Sequence, residues 1–450
     1  MYRRSLLKLA GFGAAAALLP ARLSAAAAHR WANWSGNQHA SPNAIHYPTD
    51  TTQLADLLRG STGTVRCFGG SHSFSALVPT NETLISLEAF NGLRQHHSDK
   101  NTATFGAGTR LGGASAQAWA VGQSFANEPD INLQSLAGAI ATSTHGTGRD
   151  LPSLSGLVES LTLMTAQGDL LSLNQSDGDM FRAAICSLGA LGAVTEITFK
   201  NQPRYFLKEK TRVMALKDAF QLVDRDKDKH RNIEMFAFPQ GGTAIVKTMD
   251  IIDDDALIFP EDNSNDLLEM ACETTMHANW LVAPIQKLLQ YLIKEEIKQG
   301  PAHRVYANVR TVRFNEMEYT VDADQGLAVL ENLCDEINRR DIDVLFPLQF
   351  RYCAADNSLI GMFSERPGAS ISLHQYYKED AQPYFSAAEP LLQKAGGRPH
   401  WGKIHTMNAE QLSGIYPGFE KFQAIRQQLD PQKRFMNTHL QKILGVGSFS

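Results

Sequence analysis

The chain has 450 residues, of which 43% are hydrophobic and 20% are charged, a composition that is typical of a folded globular protein. The formal net charge of −5 and the lack of a basic stretch interleaved with aromatic residues argue against a nucleic-acid-binding protein. The chain is too long for one ordinary hydrophobic core, so we expect two domains.

The N-terminal segment has the features of an export signal. Arg3 and Arg4 precede an apolar run from Leu9 to Leu19, and a stretch of small residues follows. This arrangement predicts a twin-arginine signal peptide over residues 1–28, and the alternative is a disordered Ala-rich tail. The run is shorter than the ~20 residues that span a bilayer, which argues against a stable membrane anchor. We expect a periplasmic or secreted protein that passes through the twin-arginine translocase.

Short β-type segments alternate with helical ones from residue 43 to residue 200, which predicts an α+β domain. Strands are predicted over residues 64–68, 83–87, 102–108 and 193–199, a hairpin over 157–173, and helices over 111–119 and 179–186.

Two loops of small residues in this region each contain a histidine. The first is Gly69-Gly70-Ser71-His72-Ser73, and the second runs from Ser135 to Gly148 and contains Thr144-His145-Gly146. Backbone N–H groups that no bulky side chain covers form an anion site suited to a pyrophosphate. Neither loop fits the common G-x-G-x-x-G fingerprint. Two such loops predict a large dinucleotide cofactor that is held from two sides.

Longer helical and strand-like segments follow residue 203. Helices are predicted over Asp266–Trp280 and Ile285–Ile297, with a break at Pro284. Strands are predicted over Arg304–Arg313, Asp343–Tyr352 and Ala369–Tyr376. A sheet with flanking helices would form an α/β cap domain.

The cysteines predict neither a disulfide framework nor a zinc site. They are odd in number and include no C-x-x-C pair: Cys67, Cys186, Cys272, Cys334 and Cys353. We therefore expect free thiols, most of them buried. No His, Cys or carboxylate spacing indicates a metal site.

The loops and three further segments resemble the vanillyl-alcohol oxidase superfamily, whose members have a PCMH-type FAD-binding domain. The further segments are Ser187–Thr195, His400-Trp401-Gly402-Lys403 and Leu429–Asn437, and the last two resemble the aldonolactone oxidase and alditol oxidase branch. The resemblance spans roughly residues 35 to 447. It implies an α+β fold with an FAD-binding domain over residues 35–203 and a substrate-binding cap over 204–415. A C-terminal segment, 416–450, would return to the FAD-binding domain.

The resemblance implies FAD as the cofactor, bound covalently through His72 to a methyl carbon of the flavin ring. Some relatives add a second bond through a cysteine in the second loop, but this chain has none there. The residues expected to hold FAD are Gly69, Gly70, Ser71, His72, Ser73, Ser135, Gly138, Thr144, His145, Gly146, Gly148, Val194 and Lys403. We interpret His145 as a structural loop residue rather than a base.

On the substrate side, Lys403 is the strongest candidate, because a lysine over the flavin can donate to a substrate hydroxyl or to a developing oxyanion. Strand alternation places Gln349 and Arg351 on one face. The resembled family usually carries Glu-x-Arg here, and the amide of Gln349 can orient a hydroxyl but cannot accept its proton in the usual way.

Three further residues are substrate-side candidates with open alternatives. Glu316 lies in a Glu-Met-Glu-Tyr segment shared with the family, and Glu318 lies on the same strand face. The alternative for both is a solvated carboxylate. The family counterpart of His374 faces the pocket. Ser135 either meets the substrate or caps the helix that follows it.

The resemblance implies an FAD-dependent oxidoreductase that oxidises a CH–OH group of an aldonolactone or alditol by hydride transfer to flavin N5. O2 would then be reduced to H2O2. One alternative is a dehydrogenase that passes electrons to a cytochrome or quinone. The other, which Gln349 favours, is a non-catalytic flavin- or sugar-binding protein of the periplasm.

Overall fold

The computed structural model describes residues 29–261, 264–292 and 295–447. The predicted signal peptide lies outside these residues. The first half of the described chain contains a three-stranded parallel sheet and a five-stranded antiparallel sheet. The parallel sheet has the order Ala44–His46, Thr83–Ser86 and Val65–Phe68. The antiparallel sheet has the order Leu170–Asn174, Val158–Met164, Ala193–Lys200, Thr102–Gly106 and Leu93–His97.

An eight-stranded antiparallel sheet forms the second half of the described chain. Its order is Glu296–Pro301, Phe206–Ala215, Thr243–Ile252, Asn232–Phe238, Leu348–Cys353, Gly368–Tyr376, Phe314–Asp322 and Arg398–Pro399. Two short pairs complete the described strands: Trp31–Ala32 with His39–Ala40, and Gln123–Ser124 with Gln202–Pro203. In the large sheet, Glu234 lies opposite Arg351 and Glu316 lies opposite His374. The sheet therefore brings sequence-distant polar residues together.

Helices cover the sheets and form the C-terminal segment. In the first half they are Thr51–Gly60, Leu111–Ala120, Leu136–Ala141 and Asp179–Ala184, with 3-10 turns at Ser155–Leu157 and Gln175–Asp177. In the second half they are Leu216–Asp226, Ser264–Thr275, Val282–Leu292, Ala302–Tyr306, Gly326–Arg339 and Gln382–Lys394, with a 3-10 turn at Asn279–Leu281. The C-terminal helices are Ala409–Ile415, Phe419–Leu429 and Thr438–Leu444. The mixture of sheets and helices in two halves confirms the predicted α+β class.

The C-terminal segment packs on the first half of the chain. Phe435 is buried in the same core cluster as Leu54, Leu58 and Ile85. The buried guanidinium of Arg66 donates to the carbonyl of Phe435 at 2.6 Å. The same side chain donates to the carbonyls of Leu77, Leu188 and Gly189 at 2.7 to 2.8 Å. One side chain thus joins the strand before the first loop to two other loops and to the C-terminal segment.

The structure corrects two predicted elements. The strand predicted over Arg304–Arg313 is wrong, because the chain forms the helix Ala302–Tyr306 and regular strand structure begins at Phe314–Asp322. Lys298 caps this helix end by donating to the carbonyls of Val305 and Ala307 at 2.8 and 2.9 Å. The apolar–polar alternation of these residues was the misleading signal.

The predicted helix Ile285–Ile297 is also corrected. The observed helix is Val282–Leu292, and Ile297 lies in the strand Glu296–Pro301. Pro284 does not break this helix, because its missing N–H falls in the first turn, where a donor has no helical partner. The preceding predicted helix is also shorter than expected and ends at Thr275.

Two further observations concern the whole described chain. In the described ranges, no helix is both long enough and apolar enough to cross a membrane. The five cysteines are free, and four of them are buried while Cys67 is partly buried.

Candidate active site

A cavity of about 1390 Å³ is lined by residues of both halves of the chain. Its volume exceeds the roughly 300–1,000 Å³ of common small-molecule sites. The two predicted glycine and histidine loops line it, and so do Lys403, Glu316 and Arg351. The cavity therefore has room for a dinucleotide together with a small substrate.

The first loop presses directly against the second. A Cβ atom on Gly69 would lie 1.9 Å from Ser135 Oγ, and one on Gly70 would lie 2.7 Å from the carbonyl oxygen of Leu133. Ser71 adopts a left-handed conformation, with φ of 56°, and its Oγ accepts a hydrogen bond from the Trp31 indole at 3.2 Å. Only glycine tolerates such close approach of two backbones. The loops that were predicted to hold one cofactor are thus in contact.

His72 lies on the cavity wall beside an aromatic ring. Its imidazole centroid is 5.6 Å from that of Trp34. Burial, together with the positive charges of Lys403 and Arg110, lowers the pKa of His72 to about 4. The imidazole is therefore neutral at neutral pH and retains a free lone pair, as a nucleophile requires.

The second loop begins with a helix cap. Ser135 Oγ accepts a hydrogen bond from the Gly138 N–H at 3.3 Å and caps the helix Leu136–Ala141. The capping alternative for Ser135 is thus realised, although the residue also lines the cavity, as do Gly138, Thr144 and His145.

Gly146 and Gly148 lie behind the cavity wall rather than on it. A Cβ on Gly146 would lie 2.3 Å from the carbonyl oxygen of Glu128. A Cβ on Gly148 would lie 2.8 Å from the carbonyl oxygen of Arg231. Both glycines therefore allow close packing of the loop against other backbone, and neither is placed to touch a ligand.

Several features of the wall fit FAD. The glycine surface leaves space where side chains would stand, and Ser73 and Val194 also line the cavity. Four buried polar atoms of cavity-lining residues have no hydrogen-bond partner among the described residues: Gln134 Oε1, Glu209 Oε2, His303 Nδ1 and Arg351 Nε. Buried polar atoms are normally paired, so these positions suit a polar ligand.

A charged cluster forms the substrate-side wall. The Lys403 ammonium and the Glu316 carboxylate form an ion pair, and His374 Nε2 lies 3.5 Å from Glu316 Oε1. Burial alone would raise the pKa of Glu316, but Lys403 and His374 outweigh it and lower the pKa to about 2. Glu316 is therefore ionised at neutral pH. Lys403 Nζ also lies 5.0 Å from the ring centroid of Phe74.

Glu318 connects the second loop to Arg351. Its Oε1 atom lies 2.6 Å from His145 Nε2, and its Oε2 atom accepts from the Arg351 guanidinium at 3.2 Å. His145 Nδ1 lies 2.8 Å from the carbonyl oxygen of Gly146. Both ring nitrogens of His145 therefore lie beside oxygen atoms. Although burial opposes ionisation, Arg351 and His145 hold the pKa of Glu318 well below its usual range.

Gln349 is oriented by a carboxylate on the neighbouring strand. Its Nε2 donates to Glu234 Oε2 at 3.0 Å. Since a carboxylate oxygen is an acceptor, this bond fixes the amide orientation and leaves the carbonyl oxygen of Gln349 available as an acceptor. Gln349 lines the cavity, and burial raises the pKa of Glu234.

Sequence reasoning missed several of these partners. It named Glu318 only as a neighbour of Glu316, and it did not name Glu234 or Trp34. The alternation in the strand Asn232–Phe238 marks Glu234 as facing the same way as Phe236, which is a usable signal. The pairing of Glu234 with Gln349 depends on strand order, which no local pattern reveals.

Comparisons with known proteins identify the family. Residues 197–443 match the D-arabinono-1,4-lactone oxidase family, and residues 42–174 match the FAD binding domain family. The L-gulono-1,4-lactone dehydrogenase of Mycobacterium tuberculosis is 32% identical, over 92% of this chain and 99% of that protein. The mouse L-gulonolactone oxidase is 26% identical, over 91% and 97%. The alditol oxidase of a Streptomyces species is 25% identical, over 92% and 98%.

Solved structures share the fold. Cholesterol oxidase from B. sterolicum superposes with a TM-score of 0.81 at 15% identity, covering 93% of this chain and 97% of that chain. A chitooligosaccharide oxidase gives a TM-score of 0.66 at 14% identity, covering 92% and 94%.

The family matches and the relative with 32% identity show that the chain belongs to the D-arabinono-1,4-lactone oxidase family, within the aldonolactone oxidase branch. It is an FAD-dependent oxidoreductase that acts on CH–OH donors and has a PCMH-type FAD-binding domain.

Proposed function

We propose that this enzyme oxidises the CH–OH group of an aldonolactone or an alditol and passes the electrons to O2, which leaves as H2O2. The observation that carries this proposal is the convergence of Lys403, Glu316, His374 and Arg351 on the cavity that the two loops also line. These groups can bind several hydroxyls at once. Relatives named for gulonolactone and alditol oxidation support the substrate class.

The side chains divide the work of binding and orientation. The Lys403 ammonium donates to the reacting hydroxyl oxygen and stabilises negative charge as the proton leaves. The Gln349 carbonyl accepts from a neighbouring hydroxyl. Because the pKa of Glu316 is about 2, this carboxylate is a weak base and orients the substrate instead. His374, at the edge of the same cluster, lies with Nε2 3.5 Å from Glu316 Oε1 and holds that carboxylate in place.

FAD, when bound, supplies the two-electron acceptor for the hydride. We also propose that FAD is attached covalently through His72, whose neutral imidazole lies on the cavity wall. The other expected FAD contacts that line the cavity are Gly69, Gly70, Ser71, Ser73, Ser135, Gly138, Thr144, His145, Val194 and Lys403. Acid precipitation tests the attachment: a yellow pellet supports it, and a colourless pellet with yellow supernatant contradicts it.

Anaerobic stopped-flow reduction of the flavin by a panel of sugar lactones and alditols tests the reaction. At least one compound is expected to bleach the flavin, and peroxide is expected to form on admission of air. In Lys403→Met the flavin spectrum is expected to persist while reduction slows about 10²- to 10³-fold, the range for loss of one oxyanion donor. Unchanged reduction kinetics in this variant would remove Lys403 from the site.

A dehydrogenase is the second candidate, since the relative with 32% identity bears that name. The two candidates differ in the oxidative half-reaction. Rapid reoxidation of the reduced flavin by air supports the oxidase. Slow reoxidation by air with rapid reoxidation by a cytochrome or quinone supports the dehydrogenase.

We propose export through the twin-arginine translocase from the paired Arg3 and Arg4. Cell fractionation tests it. The unaltered chain is expected in the periplasm or medium, and a variant with Arg3→Lys and Arg4→Lys is expected to stay in the cytoplasm. Equal distribution of the two chains would contradict this route.

A further inference from the structure

The cavity wall changes from charged to apolar along the strands of the large sheet. On the strand Thr243–Ile252, Lys247 and Ile245 both line the cavity. On the strand Asn232–Phe238, Phe236 and Phe238 line it. The register places Phe236 directly opposite Ile245 on one side and Gln349 on the other. An apolar surface therefore begins one residue away from the substrate-side polar groups.

Two helices cover this apolar surface. Leu268 and Ala271 of the helix Ser264–Thr275 line the same cavity, as does Ile285 of the helix Val282–Leu292. We call these residues the apolar compartment: Phe236, Phe238, Ile245, Leu268, Ala271 and Ile285. Residues from a sheet and from two helices thus line one apolar part of the cavity, as in a pocket for an apolar group.

The outer end of the apolar compartment opens to solvent between exposed apolar side chains. Leu267, Met270 and Leu288 line the cavity and are 55%, 63% and 48% exposed. A small sugar lactone or alditol bound at the charged cluster would leave this surface wetted. Exposed apolar surface that continues into a binding cavity commonly marks a ligand-binding groove.

We propose that the cavity takes an amphiphilic alcohol. Its hydroxylated end binds at Lys403, Glu316 and Arg351, and an alkyl or aryl substituent fills the apolar compartment. This inference rests on the proposed function and specifies its substrate class. The charged cluster and the apolar compartment line one cavity, and Phe236 lies opposite Gln349 on the neighbouring strand, so one ligand can reach both. Each methylene that the compartment buries is expected to tighten binding about fourfold.

The test uses the holoenzyme and two matched series. One series is built on an alditol and the other on a sugar lactone. Each contains the unsubstituted compound and its methyl, butyl and hexyl ethers at a terminal hydroxyl. The measured quantity is the concentration that gives half-maximal anaerobic flavin reduction. From methyl to butyl, this concentration is expected to fall about ten- to sixtyfold in the active series, the upper value corresponding to three fully buried methylenes.

A variant pair then locates the effect. Phe236→Ser is expected to reduce the ratio between methyl and hexyl ethers to about threefold or less, because it removes the ring next to Gln349. Trp280→Ser is the matched control: Trp280 is an aromatic residue of the same region that is 73% exposed and does not line the cavity. This control is expected to keep the full ratio.

The outcomes separate this inference from the proposed function. If the unsubstituted compounds reduce the flavin and longer chains bind no tighter, the inference is overturned and the proposed function stands. If no compound of either series reduces the flavin, both fall. In a further outcome, the half-maximal concentration does not change with ether length, and Phe236→Ser slows reoxidation of the flavin by a short-chain quinone. The apolar compartment then binds the electron acceptor, and the inference is again overturned. Equal loss of the ratio in both variants also overturns it.

Discussion

Replacing Gln349 by glutamate tests the role of its bond to Glu234. The two side chains are 3.0 Å apart, so Gln349→Glu places two buried carboxylates at hydrogen-bond distance. Two unit charges about 3 Å apart repel by roughly 5 to 6 kcal/mol at an effective dielectric constant of about 20, which corresponds to about four pH units. One of the two carboxyls therefore takes up a proton and titrates near or above neutral pH.

The expected result is a new pH dependence. At pH 6 the protonated pair keeps its hydrogen bond, and the rate constant for anaerobic flavin reduction stays close to that of the unaltered enzyme. At pH 9 the pair is doubly charged and the rate constant falls. The free energy of unfolding is expected to change in the same direction. A carboxyl whose pKa is raised on folding destabilises the folded protein once the pH exceeds its unfolded pKa of about 4.3. The destabilisation grows with pH until the folded pKa is reached.

Two controls make the result specific. Gln349→Met removes the hydrogen bond without adding a charge, so it is expected to slow reduction by an amount that does not vary with pH. The double variant Gln349→Glu with Glu234→Gln again pairs one amide with one carboxylate. Its rate constant for flavin reduction is therefore expected not to vary with pH. A flat pH profile and an unchanged Tm in Gln349→Glu alone would refute the reasoning.

Three further predictions follow from buried charges and hydrogen bonds. Glu318→Gln leaves His145 and Arg351 without their shared carboxylate, and we expect a loss of about 3–5 kcal/mol, measured by denaturant unfolding; a change below about 1 kcal/mol would contradict it. Burial lowers the pKa of His400 to about 3, so this residue contributes a loss of stability as pH falls below about 6.5. Other buried histidines are shifted the same way, so between pH 7.5 and 5 the free energy of unfolding is expected to fall by about 2 kcal/mol less in His400→Gln than in the unaltered chain; equal losses in the two chains would contradict this. Arg66→Met leaves four carbonyls without their donor, and a fall in Tm of more than about 5 °C is expected; an unchanged Tm would contradict a stabilising role for these four bonds.

The cofactor-side loops could be located from sequence because their signal is local. Glycine, serine and histidine within a few residues identify a backbone surface, and Gly69, Gly70 and His72 all lie on the cavity wall. The same composition misplaced Gly146 and Gly148, because a glycine that permits close packing looks like one that faces a ligand. Only the three-dimensional surroundings distinguish the two.

The substrate-side residues could be predicted only in part from the sequence. Strand alternation placed Gln349 and Arg351 together, as observed. The bond from Gln349 to Glu234 joins residues 115 positions apart, and it exists because two strands are neighbours in the large sheet. Apolar–polar alternation gave a wrong strand prediction over Arg304–Arg313. The apolar residues there belong to a short helix and to the loop that follows it. The apolar compartment could not be foreseen, since it needs the sheet and both helices in place.

The hydrogen bonds of Arg66 set an order for maturation. The guanidinium needs the carbonyl of Phe435, which is synthesised 369 residues after Arg66. Until then the strand that leads into the first glycine loop lacks one of its four anchors. A chain that ends before Phe435 therefore lacks this anchor, and we expect it to retain flavin more weakly than the full chain.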